Sequence, residues 1–142
     1  MRALLINPKT PPSFWSFPEQ GIFNGRKALI PPLGLLTVAS LLPTDWALRL
    51  VDLSAQNLTG ADWNWADLVM ISANIGQRDS LLALIAESKQ RGKTVVVGGP
   101  YPTSIPDEAL KAGCDFLVRG EGENTIDLFI TALRQGLSLI HI

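Results

Sequence analysis

Five short apolar runs, most of them separated by a stretch of helical length, constrain this chain more than any other feature. They are Ala3–Ile6, Leu48–Leu53, Leu68–Ser72, Thr94–Val97 and Phe116–Val118. Their apolar character is largely continuous rather than alternating, the mark of strands covered on both faces in a parallel sheet. Leu33–Leu42 follows Pro31-Pro32 and stops at Pro43, so it predicts a helix with a proline entry. Ser80–Arg91 carries Leu81, Leu82, Leu84 and Ile85 toward one side and closes at Gly92. Ile105–Ala112 opens with Pro106-Asp107-Glu108, acids suited to the positive end of a helix, and ends at Gly113. Asn124–Arg134 sets Ile126, Phe129, Ile130 and Leu133 on one face before Gly136. Gly60–Trp65 reads as a short turn or broken helix.

Strand–helix alternation at this spacing predicts an α/β fold, a five-stranded doubly wound parallel sheet of the Rossmann-like or flavodoxin-like kind. The strand order 2-1-3-4-5 is the common solution and puts a switch point between strands 1 and 3. Residues 1–136 form one domain on this reading, and 137–142 a truncated linker or tail. The segment Thr10–Ala28 stands apart. It is nineteen residues long and holds Phe14, Trp15, Phe17 and Phe23, too apolar for an idle loop.

Composition narrows the function classes. Of 142 residues, 46% are apolar and 18% charged, so a buried core is expected. A net charge of −1 gives no electrostatic case for nucleic acid. The single cysteine, Cys114, cannot make an internal disulfide or hold a cluster or structural zinc by itself. That usage suits a reducing cytoplasm. No apolar stretch approaches the roughly 20 residues of a membrane span.

In a doubly wound sheet, ligands bind over the carboxyl ends of the strands. The candidates there are Asn7, Pro8, Lys9 and Thr10 after strand 1, and Asp52 and Ser54 after strand 2. After strand 3 come Ser72, Ala73, Asn74 and Gly76, and after strand 4 come Gly98, Gly99, Pro100 and Tyr101. Strand 5 is followed by Arg119, Gly120, Glu121, Gly122, Glu123 and Asn124. Plainer readings stand beside these. Gly98-Gly99-Pro100 also fits a simple turn, Glu123 a helix N-terminus, and Asp52 either a ribose partner or a loop cap. Trp15, Trp46, Trp63 and Trp65 fit the core better than a stacking platform.

Several chemistries drop out. No phosphate loop ending in Lys-Ser/Thr and no G-x-G-x-x-G follows strand 1. The one histidine is His141, next to last, so a nucleophilic triad has no internal base. Asn7-Pro8 and Ser72-Ala73 stand where a response regulator needs its acids. The residues read as a binding module.

Several stretches together resemble the cobalamin-binding domain at the N-terminus of many radical-SAM enzymes. They are Ala3-Leu4-Leu5-Ile6-Asn7-Pro8, Pro31-Pro32-Leu33-Gly34-Leu35, Val51-Asp52-Leu53, Gly98-Gly99-Pro100-Tyr101-Pro102-Thr103 and Arg119-Gly120-Glu121-Gly122-Glu123. The aromatic-rich Pro12–Phe17 loop is similar to the branch holding hopanoid-type methylases. The resemblance implies a corrin across the carboxyl edge and a nucleotide tail folded away from cobalt. Ser72 and Gly98-Gly99 occupy the places that line the tail, and Gly120, Glu121 and Gly122 would border it. Asn74 departs from the usual leucine. Asn7-Pro8-Lys9-Thr10 stands where many relatives place a cobalt-ligating histidine, so a bound cobalamin would lack one.

The resemblance further implies a radical-SAM catalytic domain in the same parent chain, holding S-adenosylmethionine and a 4Fe-4S cluster on a C-x-x-x-C-x-x-C motif. That motif is absent here, so the chain reads as a non-catalytic fragment of a methyltransferase. Two other readings use the same fold: a cofactor-free Rossmann-like scaffold packing on the catalytic half, and a small flavin or nucleotide module.

Overall fold

The computed structural model describes residues 1–12, 31–137 and 140–141. The aromatic-rich stretch with Phe14, Trp15, Phe17 and Phe23 lies outside the described residues. In chain order the elements are β1 (Arg2–Asn7), α1 (Leu33–Leu41), β2 (Ala47–Asp52), α2 (Gly60–Trp65) and β3 (Leu68–Ser72). A 3₁₀ turn, Ile75–Gln77, leads into α3 (Arg78–Gln90) and β4 (Thr94–Gly98). Then follow α4 (Pro100–Ser104), α5 (Pro106–Lys111), β5 (Phe116–Leu117), α6 (Gly122–Arg134) and β6 (Ile140–His141).

All pairings are parallel, in the order β2-β1-β3-β4-β5-β6. The first five strands take the order 2-1-3-4-5 expected of a five-stranded doubly wound sheet. The sixth, two residues long, extends the sheet beyond β5 from within the stretch read as linker or tail.

β1 lies in the middle, and Ala3, Leu4, Leu5 and Ile6 are all buried. Side chains alternate across each strand, so the sheet divides its apolar residues between two layers. Leu4, Ile6, Val69, Ile71, Val95 and Val97 pack against Trp63 of α2 and Leu81 and Ile85 of α3. Ala3, Leu5, Leu68, Met70, Val96 and Phe116 meet Leu35 of α1 and Ile126 and Phe129 of α6. Phe116 and Phe129 pack edge to face with centroids 5.3 Å apart.

Helix bounds differ in places from the sequence expectation: α1 ends at Leu41, α3 runs Arg78–Gln90 rather than Ser80–Arg91, and α6 begins at Gly122 rather than Asn124. Gly60–Trp65 is a continuous six-residue helix, not a turn or broken helix. Its start is fixed by a capping box in which Thr59 Oγ1 accepts from the Asp62 amide and the Thr59 amide donates to Asp62 Oδ2. The helix expected from Ile105 begins at Pro106 instead, and a further helix precedes it at Pro100–Ser104. Ile105, ahead of a proline, is disfavoured in the α region and separates the two. No helix among the described residues is long and apolar enough to cross a membrane.

Candidate functional site

The α1/α6 layer is filled below by the Phe116–Phe129 pair and opens toward the carboxyl ends of β3 and β4. The result is a cavity of about 320 Å³. Its walls are Leu35 and Val38 of α1, Met70 of β3, Val96 of β4, Val118 just after β5, and Ile126 of α6. Gly98 continues the inward-facing series of Val96 without a side chain. A Cβ there would lie 3.5 Å from the Val118 carbonyl oxygen and 3.6 Å from its Cβ, in ordinary contact. Glycine at the end of β4 thus leaves this part of the wall without a side chain.

The rim is built from interlocked turns. The Ala73 amide donates to the Gly98 carbonyl (3.2 Å), and the Tyr101 amide to the Ala73 carbonyl (3.0 Å). Between them Gly99 adopts φ 99° and ψ 178°, a region open essentially to glycine alone. A Cβ at Gly99 would come within 2.7 Å of Ser72 Oγ and 2.9 Å of the Ala73 backbone. Opposite, Thr103 Oγ1 accepts from the Gly120 amide (3.0 Å), tying α4 to the turn that starts α6. A Cβ at Gly122 would lie 2.8 Å from Val38 Cγ2, so α1 and α6 approach each other at a residue without a side chain. The charged residues lining the cavity are Glu121 and Glu123, both exposed at its mouth.

Of the residues singled out in the sequence, the structure gathers Ser72, Gly98, Gly99, Pro100, Gly120, Glu121 and Gly122 around this cavity. Asn7, Pro8, Lys9, Thr10, Ala73 and Asn74 do not line it. They sit at the β1 and β3 end of the same edge. There Asn7 Nδ2 donates to Asp52 Oδ1 (3.1 Å), which also accepts from the Ser54 amide (2.9 Å). Asp52 thus serves as a loop cap and as a partner of the first turn. The Lys9 amide donates to Ser80 Oγ (3.0 Å).

Tyr101 belongs to the opposite layer. It is buried in the α2/α3 core, and its hydroxyl donates to Glu108 while Arg78 Nε donates to that hydroxyl (3.1 Å) and to Glu108 (2.7 Å). Hydrogen bonds from Arg78 and then Tyr101 hold the Glu108 carboxyl below its ordinary range. Burial, then the bond to Glu108, pushes the Tyr101 phenol up. The α4 helix turns this side chain away from the cavity whose rim its backbone supports. Cys114 is buried, and desolvation pushes its thiol up to about 11, which keeps it protonated near neutrality. Among the described residues no group of three histidine, cysteine, aspartate or glutamate side chains is placed to hold a metal ion.

Sequence reasoning missed Gln77. This side chain is 5% exposed, and its Nε2 donates to Asn7 Oδ1 (3.1 Å) and to the Pro8 carbonyl (2.7 Å). Its Oε1 accepts from the Asn74 amide (3.0 Å). The signal was present as Asn74 followed three residues later by Gln77, a capping-box spacing. The apolar walls were also missed, because residues such as Met70 and Ile126 read as ordinary core.

Comparison with known proteins bears on this geometry. The profile of the B12-binding domain family matches residues 21–130. An uncharacterized methyltransferase of Synechocystis is 53% identical over 136 residues, 96% of this chain and 25% of the relative. The hopanoid C-2 methylase of Rhodopseudomonas palustris is 31% identical over 133 residues, 93% of this chain and 25% of that protein. An uncharacterized methyltransferase of Pyrococcus horikoshii is 33% identical over 149 residues, 98% of this chain and 31% of the relative. The chain thus spans between 25% and 31% of the length of these relatives.

Proposed function

The chain belongs to the B12-binding domain family, and from that premise we propose that it binds cobalamin as the carrier domain of a methyltransferase. The nucleotide tail enters the cavity between α1, α6 and the sheet, and the corrin lies across the carboxyl edge. The observation that carries this reading is the cavity itself. At about 320 Å³ it falls at the small end of ligand sites, is lined mostly by apolar side chains, and opens at a strand edge. Those features fit a flat aromatic base better than they fit a charged ligand.

Each rim residue has a part in this. Gly98 leaves room for the base between Val96 and Val118, and Gly99 lets the β4 turn close on Ser72 and Ala73. Pro100, Gly120, Glu121 and Gly122 border the tail where it leaves the cavity. Asn7, Pro8, Lys9, Thr10, Ala73 and Asn74 form the floor beneath the corrin. Tyr101 acts through its backbone and its anchorage to Glu108 and Arg78. None of the residues Asn7 to Thr10 is a histidine, so this turn would offer a bound cobalamin no imidazole. Cobalamin supplies a cobalt centre that carries a methyl group; the residues here orient it and shield one face from water.

The methyltransferase names of the relatives, and the fraction of their length that this chain spans, support a larger parent protein. In our reading its catalytic half is a radical-SAM domain holding S-adenosylmethionine and a 4Fe-4S cluster. Titration of the chain with hydroxocobalamin, followed by visible absorbance and equilibrium dialysis, tests the core of the proposal. Stoichiometric binding with a base-off spectrum is expected. Absence of binding would overturn it and favour a cofactor-free scaffold.

A further inference from the structure

Backbone bonds carry the strand ends only a short way: the Leu53 amide donates to the Asn7 carbonyl and the Ala73 amide to the Gly98 carbonyl, and among the described residues no backbone bond joins the turn after β1 to the turn after β3. That connection falls largely to one side-chain amide. Gln77 is buried, and it reaches two acceptors on the turn after β1 and one donor on the turn after β3. Asn7 passes the connection on to Asp52, the last residue of β2. Three consecutive strand ends are thereby joined through uncharged or singly charged groups whose bonds are directed and mutually supporting.

The same 3₁₀ turn carries Ile75 directly before Gly76, and Ile75 is 65% exposed. A large apolar side chain held out at a strand edge, beside a turn whose polar groups are turned inward, makes a floor for a flat and largely apolar ring. Filling the position of Gln77 needs only volume; directing both neighbouring turns needs its donors and its acceptor. We infer that Gln77 is a positioning residue for the macrocycle, fixing the Asn7–Lys9 turn and Ile75 at one level so that a corrin can lie across them. This rests on the cobalamin reading above and adds a residue that acts on the corrin rather than on the tail.

Cobinamide, which has the corrin but no nucleotide, separates the two parts of the site. Gln77→Met keeps length and burial and removes all three bonds. It should raise the dissociation constants of cobinamide and of cobalamin by the same factor, roughly tenfold. Gly98→Leu, which fills the cavity, should instead collapse the ratio of cobalamin to cobinamide affinity. Should Gln77→Met fail to fold, Asn7→Ser removes the partly exposed acceptor of one of the three bonds and should weaken cobinamide in the same direction by a smaller factor. Unchanged cobinamide affinity in a folded Gln77→Met or Asn7→Ser protein overturns the inference. So does a wild-type chain that binds cobalamin but not cobinamide, since the floor then contributes no affinity. A wild-type chain that binds neither compound overturns the cofactor reading first, and the inference with it.

Discussion

The carboxyl edge of this one sheet has two unlike halves. Over β2, β1 and β3 the turns are closed: Asp52, Asn7 and Gln77 spend their polar groups on one another and on the backbone. Over β4 and β5 the turns are open, glycine-lined, and lead into an apolar cavity. One half resists change by having every bond made, the other by having no room for a side chain at Gly99. A surface and a slot need different physics, and the sheet supplies both within neighbouring strands.

The sharpest way to break this contrast is Gly99→Ala. Its backbone lies in a region other residues avoid, and its Cβ would meet Ser72 Oγ at 2.7 Å. The two penalties together should cost about 3 kcal/mol of stability, visible in urea denaturation. Gly98→Leu is the complementary case, because a Cβ there makes only ordinary contacts. Stability should change by about 1 kcal/mol or less, while cobalamin affinity measured by dialysis falls about a hundredfold. On the closed half, Gln77→Met leaves Asn7 and the Pro8 carbonyl short of a donor and should cost about 1–2 kcal/mol in the same denaturation assay.

The smallest effect lies at the opposite end of the strands, where Arg2 donates to Asp67 from its side chain and its backbone. Those bonds lower the Asp67 carboxyl from 3.8 to about 2. A group whose value falls on folding stabilises above its unfolded value, and that contribution is lost as pH drops from about 4 toward about 2. The pair is solvent-exposed and screened, so Asp67→Asn should flatten the pH dependence of stability in that window by no more than about 1 kcal/mol. The Gln77 substitution should leave that window unchanged.

The two halves were also unequally legible in the sequence. The elements followed from apolar runs and from the proline and glycine stops at Pro43, Gly92 and Gly113, which are local signals, and their order from the common arrangement of five alternating strands. Gly98, Gly99 and Gly120 marked the open half as a place where a ligand could approach the backbone, though the same residues also fitted plain turns. Its walls were hidden, since Leu35, Val38 and Val118 look like any core residue until the space beside them is known. Tyr101 was placed at the edge by adjacency to Pro100, yet a five-residue helix rotates it into the other layer. For Gln77 the Asn74 spacing marked only a local turn; its reach to the first strand shows in partners 69 and 70 residues away.

The contact between Gly122 and Val38 has a further consequence. Two helices that meet where one of them has no side chain form a gauge whose opening is set by a single methyl group, 2.8 Å from the Cβ that glycine lacks. Enlarging position 122 drives the helices apart, and trimming Val38 lets them settle closer or leaves extra space. The width of the slot is thus adjustable from its outer edge, without touching any residue on the sheet.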